Sequence, residues 1–239
     1  MILIRHKFLL AAILPLTWFS AHAESADKIM SSINTVVVIY GENRSFDNLY
    51  GLYPGARGIN EALKKPDSYL QRDRDGSILP HLPPVWTASA KQKDSWAFVS
   101  SLPNRPFRIN RPYAISDSSH PVTEATPDLV HRFYNNQMQI NQGRNDQYVA
   151  WSDAGGLSMG YYDGSSLKLW KLAKNFTLAD NFFQGAFGGS FLNHFWLVCA
   201  CTPTWDNPPS QLISVVDDGI HLKVSNDSPL SALDGKPKY

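Results

Sequence analysis

The sequence predicts an α/β fold on three observations. Thr35-Val36-Val37-Val38-Ile39-Tyr40 is a β-branched run suited to a strand buried on both faces. It gives way abruptly to the polar cluster Gly41-Glu42-Asn43-Arg44-Ser45. Segments of helical character follow beyond residue 128. Ligands of open α/β sheets sit just past the carboxyl ends of strands, so the polar switch also marks a candidate site.

The chain opens with basic Arg5, His6 and Lys7, an apolar run over residues 8–19, and Ala21-His22-Ala23. A positive start, a short apolar stretch and a small-x-small site predict a signal peptide over residues 1–23. The product would be exported, periplasmic or secreted. The apolar run is shorter than the roughly 20 residues a bilayer span needs, and no later stretch reads as a membrane anchor. Loss of Arg5 and Lys7 leaves 20 basic against 21 acidic residues. That balance argues against a nucleic-acid partner and against a basic stripe for anionic membranes.

Residues 24–239 read as one unit, with an irregular excursion over about 51–127. Eight of the 16 prolines fall between residues 80 and 127, and proline fixes φ and removes a donor. The excursion is expected to run over the surface and cover the site, with Trp86, Trp96, Phe98, Phe107 and Tyr113 giving it some packing. Asp128, after Pro127, is the expected N-cap of a helix with His131 and Arg132 in its first turn. Residues 167–173 suggest a short helix and residues 176–180 a short strand. Gly188-Gly189 then precede Ser190, which opens an apolar helical segment. Cys199 and Cys201 are too close for an easy disulfide and read as two small apolar residues.

Ser190, at a helix start after two glycines, would meet unpaired N–H groups and the positive end of the dipole. Such a position binds phosphate and favours a serine alkoxide; it is equally the place of an ordinary cap. Glu42 and Asn43 offer two hard oxygens to a divalent cation, or a salt bridge and a cap. Asn193 lies one turn beyond Ser190, and His131 and His194 are candidate proton donors or structural histidines. Residues 188–192 lack the closing glycine of a G-x-S-x-G elbow, and the glycine run lacks the lysine of a P-loop.

Taken together, the run from Glu42 to Asp47 and Phe187-Gly188-Gly189-Ser190-Phe191-Leu192-Asn193-His194 resemble the bacterial phosphoesterase family of acid phosphatases and phospholipases C. So do the runs at residues 128–134, 151–156 and 176–183, and the likeness is strongest to the acid phosphatase branch. The resemblance implies an alkaline-phosphatase-like sandwich with a central, mainly parallel sheet. It implies hydrolysis of a phosphate ester through a phosphoserine. Ser190 would be nucleophile and metal ligand, Glu42 and Asn43 the other ligands of a divalent metal ion, His131 the proton donor, and Asn193 a substrate-binding residue. Phosphodiester lipid hydrolysis, as by a phospholipase C, is the alternative, and an inactive phosphate-binding remnant a further one.

Family members complete the metal site with an Asp-Asp pair in their C-terminal half. Asp217-Asp218 precedes Gly219 and reads instead as a turn. The expected object is therefore the front portion of the domain, its sheet incomplete at the C-terminus. Weak or absent activity and poor solubility should follow from missing metal charge and exposed apolar faces.

Overall fold

The computed structural model describes residues 27–87, 93–111 and 120–239. The expected signal peptide lies outside these residues. The chain divides into two units, Met1–Gly41 and Glu42–Tyr239. In the first, residues 27–31 are helical and the residues after Ile33 carry no regular structure.

The predicted strand at residues 35–40 does not form, and none of the described ladders includes it. Val37 and Ile39 are 80% and 92% exposed. The reason is that β-propensity expresses fit to a pleated, buried surface, and a Val-rich run without neighbouring strands has none to fit.

The second unit is a mixed α/β structure of short elements. Its helices are α1 (Phe46–Tyr50), α2 (Ile59–Ala62), α3 (Lys93–Trp96), α4 (Phe133–Ile140), α5 (Lys168–Ala173) and α6 (Ser190–Cys199). Strand β1 (Phe107–Arg108) pairs in parallel with β2 (Gly160–Tyr161), Phe107 opposite Gly160. Strands β3 (Val216–Asp217) and β4 (His221–Leu222) form an antiparallel hairpin. The turn expected at Asp217-Asp218 forms one residue later: Asp217 ends β3 opposite His221, and residues 218–220 make the hairpin's loop, with Asp218 and Gly219 both at positive φ.

The proline-rich segment is not a surface excursion, because it supplies most of the core. Leu79, Leu82, Trp96, Val99 and Ile109 are each at most 1% exposed, and they pack with Phe98, Phe107, Val149, Leu157 and Tyr162. Proline forbids long ladders, so side-chain amides satisfy the buried backbone instead. Asn104 accepts from the Gln71 N–H at 3.0 Å and donates to the carbonyls of Gln71 and Leu79 at 2.8 and 2.9 Å. Gln71 in turn accepts from the Tyr148 N–H at 3.0 Å and donates to Asn145 O at 3.1 Å.

Helix α4 starts later than the sequence predicts. Arg132, not Asp128, is its N-cap, with extended φ −96° and ψ 159°. The Val130 N–H donates to Asp153 Oδ1 at 2.7 Å, and the Val130 carbonyl accepts from Gln139 at 3.0 Å. Both backbone groups are thus taken by distant partners, which holds residues 128–131 out of the helix. Helix α5 is anchored by buried Trp170, whose Nε1 donates to Leu49 O at 2.8 Å. Residues 176–180 form no strand, and Phe176 is exposed.

Cys199 and Cys201 are not buried free thiols. They are exposed and joined in a disulfide, their Cα atoms 5.2 Å apart, within the ordinary range for a bridge. The left-handed Ala200 between them, which caps α6, brings the two sulfurs together.

The C-terminal residues are clasped by Asp73 and Arg74. Asp73 accepts from Ser231 Oγ and from the Ala232 N–H. Arg74 donates to the carbonyls of Ala150, Pro229, Ser231 and Gly235, and its guanidinium lies 5.5 Å above the Trp151 ring. Burial pulls the Arg74 guanidinium below its ordinary range, opposed by Asp73.

Candidate active site

Residues 42–45 make a tight turn into α1. Asn43 takes φ +71°, a left-handed conformation that Asn tolerates better than most residues. Ser45 caps α1, its Oγ accepting from the Asn48 N–H at 3.2 Å. Asn48 then donates to Gly160 O at 2.8 Å and accepts from Arg44 at 3.3 Å, tying the turn to β2. The Arg44 guanidinium stands 5.1 Å from the centre of the buried Tyr162 ring. Desolvation pushes the Tyr162 hydroxyl up, and Arg44 opposes it. Burial likewise raises the Asp47 carboxyl in the first turn of α1.

This turn forms one wall of a cavity of about 550 Å³. Glu42, Asn43, Arg44, Ser45 and Asn48 line it with residues 125–129 and with Ser158 and Gly160. Two carboxylates, Glu42 and Asp128, therefore share a cleft with amide and hydroxyl oxygens, a donor set that suits a hard cation. Among the described residues, no group of three or more His, Cys, Asp or Glu side chains is arranged to hold a metal. Glu42 and Asn43 fit the expected metal in chemistry, whereas Ser190 is not among the residues lining their cavity.

Ser190 is the first residue of α6, after the N-cap Gly189. Gly188 and Gly189 have φ +113° and +94°, values that L side chains rarely adopt. They bring the turn down on the start of α4. A Cβ on Gly189 would lie 2.6 Å from the His131 carbonyl oxygen and 3.2 Å from its imidazole Cδ2. His131 therefore packs directly against the residue preceding Ser190. Its Nδ1 lies 2.6 Å from Leu129 O and 3.8 Å from Asp128 Oδ1.

Asn193 is buried and fixes the turn from within. It accepts from the Ala186 N–H at 3.2 Å and donates to Gly189 O at 3.0 Å, so both ends of its amide are held by backbone. His194 is exposed, with Nδ1 2.7 Å from Ser190 O. The predicted residues thus fall into two sets: Glu42 with Asn43 at the cavity, and Ser190 with His131 and Asn193 at the glycine turn. The continuous segment 125–131 joins them, lining the cavity up to Leu129 and meeting Gly189 at His131.

Three residues of this region escape sequence reasoning. Asp128 reads as a helix cap but faces the cavity. Asn136 and Gln139 belong to an amide-rich run in α4 whose density is the only sequence signal of their role, as Asn136 accepts from the Gly188 N–H at 3.0 Å.

The chain is 25% identical over 211 residues to phospholipase C B of Mycobacterium tuberculosis, a match covering 84% of this chain and 34% of the relative. It is 25% identical over 174 residues to the non-hemolytic phospholipase C of Pseudomonas aeruginosa, covering 70% of this chain and 20% of that protein. The chain thus spans about a third or less of the length of these relatives. No solved structure matches it. Residues 33–234, which hold both the Glu42 turn and the Ser190 turn, match the phosphoesterase family model, and the chain belongs to the phosphoesterase family.

Proposed function

We propose that this chain carries the nucleophile-bearing part of a phosphoester hydrolase with an alkaline-phosphatase-like sandwich, acting through a phosphoserine on Ser190. The observation that carries this reading is the packing of His131 on Gly189 at the start of α6. It supports the reading because the His131 imidazole, the proposed proton donor, packs on the residue just before a serine that sits at the N-terminal end of a ten-residue helix.

In this scheme Ser190 gives its hydroxyl proton to solvent and Oγ attacks phosphorus in line. The bond from phosphorus to the alcohol breaks as the His131 imidazolium protonates the departing oxygen. Water then cleaves the phosphoserine, returning a proton to His131 and releasing phosphate. Helix N–H groups near Ser190 would orient the phosphoryl oxygens. Asn193 holds the turn that presents Ser190, and the second N–H of its Nδ2, beyond the one given to Gly189 O, is the proposed contact for a phosphate oxygen. Glu42 and Asn43 would hold a divalent cation, which when bound stabilises an alkoxide and polarises phosphoryl oxygens.

Export is part of the proposal, supported by the expected signal peptide and by a disulfide that needs an oxidising compartment. Among the described residues, no helix is long and apolar enough to cross a membrane.

Acid-quenched mass spectrometry after incubation with p-nitrophenyl phosphate and divalent metal tests the scheme. Slow turnover with phosphate trapped on Ser190, and none in Ser190→Ala, is expected. Phosphate on another residue, or hydrolysis that persists in Ser190→Ala, sinks it. A phosphodiester substrate is the second reading, favoured by relatives that are named phospholipases C. Faster turnover of p-nitrophenyl phosphorylcholine than of p-nitrophenyl phosphate would select it.

A further inference from the structure

We propose that Asn136 and Gln139 of α4 are positioning residues that hold His131 and the Gly188–Ser190 turn in one fixed relation. The inference rests on the catalytic reading of Ser190 and His131 above, and it concerns how the two are kept together.

The two side chains form a directional relay. Gly188 donates its N–H to Asn136 Oδ1 at 3.0 Å. Asn136 Nδ2 donates to Gln139 Oε1 at 2.7 Å. Gln139 Nε2 then donates to two carbonyls, Val130 O at 3.0 Å and Trp151 O at 3.1 Å. Backbone groups fix the sense of both amides. An N–H at one end can only donate, and the carbonyls at the other can only accept, so neither amide can flip without losing its partners.

The ends of the relay are what give it meaning. One is the glycine turn two residues before Ser190, and the other is the residue preceding His131. Gln139 is fully buried, with 0% exposure, where a half-satisfied amide would be costly. A surface amide pair on a helix would drift between rotamers, whereas this one is locked. Phe133 stacked on Phe187 at 4.7 Å adds an apolar contact between α4 and the same turn. The left-handed Gly188 and Gly189 have no intrinsic preference for a single conformation, so the turn takes its geometry from these outside contacts.

The test uses the isotope-labelled full chain with Asn136→Ala, Asn136→Asp and Gln139→Ala. The readouts are hydrogen exchange at the Gly188 amide and the NMR shift of the His131 imidazole. Asn136→Ala should speed Gly188 exchange about tenfold. Asn136→Asp keeps the acceptor for the Gly188 N–H, and with it the protection, but sets a second acceptor against Gln139 Oε1 and should move the His131 signal. Gln139→Ala touches neither His131 nor Gly188 directly, yet it should move the His131 signal and speed Gly188 exchange, with core amides near Trp96 unchanged.

Equal Gly188 exchange in the parent and Asn136→Ala overturns the proposal. So does a Gln139→Ala protein that folds with both signals unmoved. If Gln139→Ala fails to fold, the contrast between the two Asn136 variants decides. These readouts need no turnover. A failure of phosphate trapping on Ser190 would therefore remove the catalytic reading without changing what the Gly188 and His131 signals say of the relay.

Discussion

Arg74 and Gly235 are joined by a 2.7 Å hydrogen bond across 161 positions of sequence. The same guanidinium also reaches Ala150, Pro229 and Ser231, so one side chain gathers carbonyls from the 150 region and from the last eleven residues. Hydrogen bonds to a charged donor are worth more than neutral ones, and the four carbonyls lose that donor together if it is removed. Arg74→Ala is expected to cost about 2–4 kcal/mol in urea unfolding and to speed tryptic cleavage after Lys223. Arg74→Lys should recover only part of this, because an ammonium cannot reproduce the planar fork.

Tyr239 shares this clasp. Its hydroxyl donates to Trp151 O at 3.3 Å, and burial pushes it up to about 12, with Asn135 and Arg74 opposing. The folded state therefore holds this proton more tightly than the unfolded chain does. Its contribution is complete below about pH 10 and is lost as pH rises from about 10 towards 12. Because 46% of the residue remains exposed, solvent screening makes the slope shallow. Chemical denaturation at pH 9 and pH 11 should show a larger drop in the parent than in Tyr239→Phe, whose remaining drop comes from the other raised tyrosines, Tyr148 and Tyr162 among them.

Gly189→Ala meets two penalties at once. Its φ of +94° disfavours any L side chain, and the new methyl would press on the His131 carbonyl at 2.6 Å. A loss of about 2 kcal/mol or more is expected in unfolding experiments. Phosphate trapping on Ser190 should fall further than stability does, since the displaced parts are His131 and the serine turn. Gly143→Ala, at φ +88° with open space around it, is the control that carries backbone strain alone.

Phe182, Phe183, Phe191 and Val198 are 72–82% exposed. Apolar surface on this scale promotes association. The chain is expected to bind the dye ANS and to sediment faster with rising concentration. Phe182→Ser with Phe183→Ser should reduce both effects without lowering the urea midpoint.

Local signals made part of this structure legible. The run at Lys168–Ala173, the glycine-led start of α6 and the Asp218-Gly219 turn each announce themselves in a few adjacent residues, and each forms. What depends on distant partners was not legible. The Val-rich run at 35–40 has strand chemistry and no ladder. The start of α4 is set by Asp153, 23 residues away from the Val130 N–H that it accepts. The core hides in a proline-rich stretch because Asn104 and Gln71 do with side chains what a sheet would do with backbone. At the site, the turns bearing Glu42 and Ser190 announce themselves in sequence, while the Asn136–Gln139 relay is visible only when α4 and the glycine turn are seen in contact.

The Cys199–Cys201 bond closes a ring around the single residue Ala200 at the exposed end of α6. A pair so near in sequence needs no chain folding to find its partner, only an oxidant. It would therefore record where a molecule has been. Copies retained among cellular reductants would present two alkylatable thiols, and copies that had crossed into an oxidising space would present none. Alkylation of freshly lysed cells, fraction by fraction, would read that history from the protein itself.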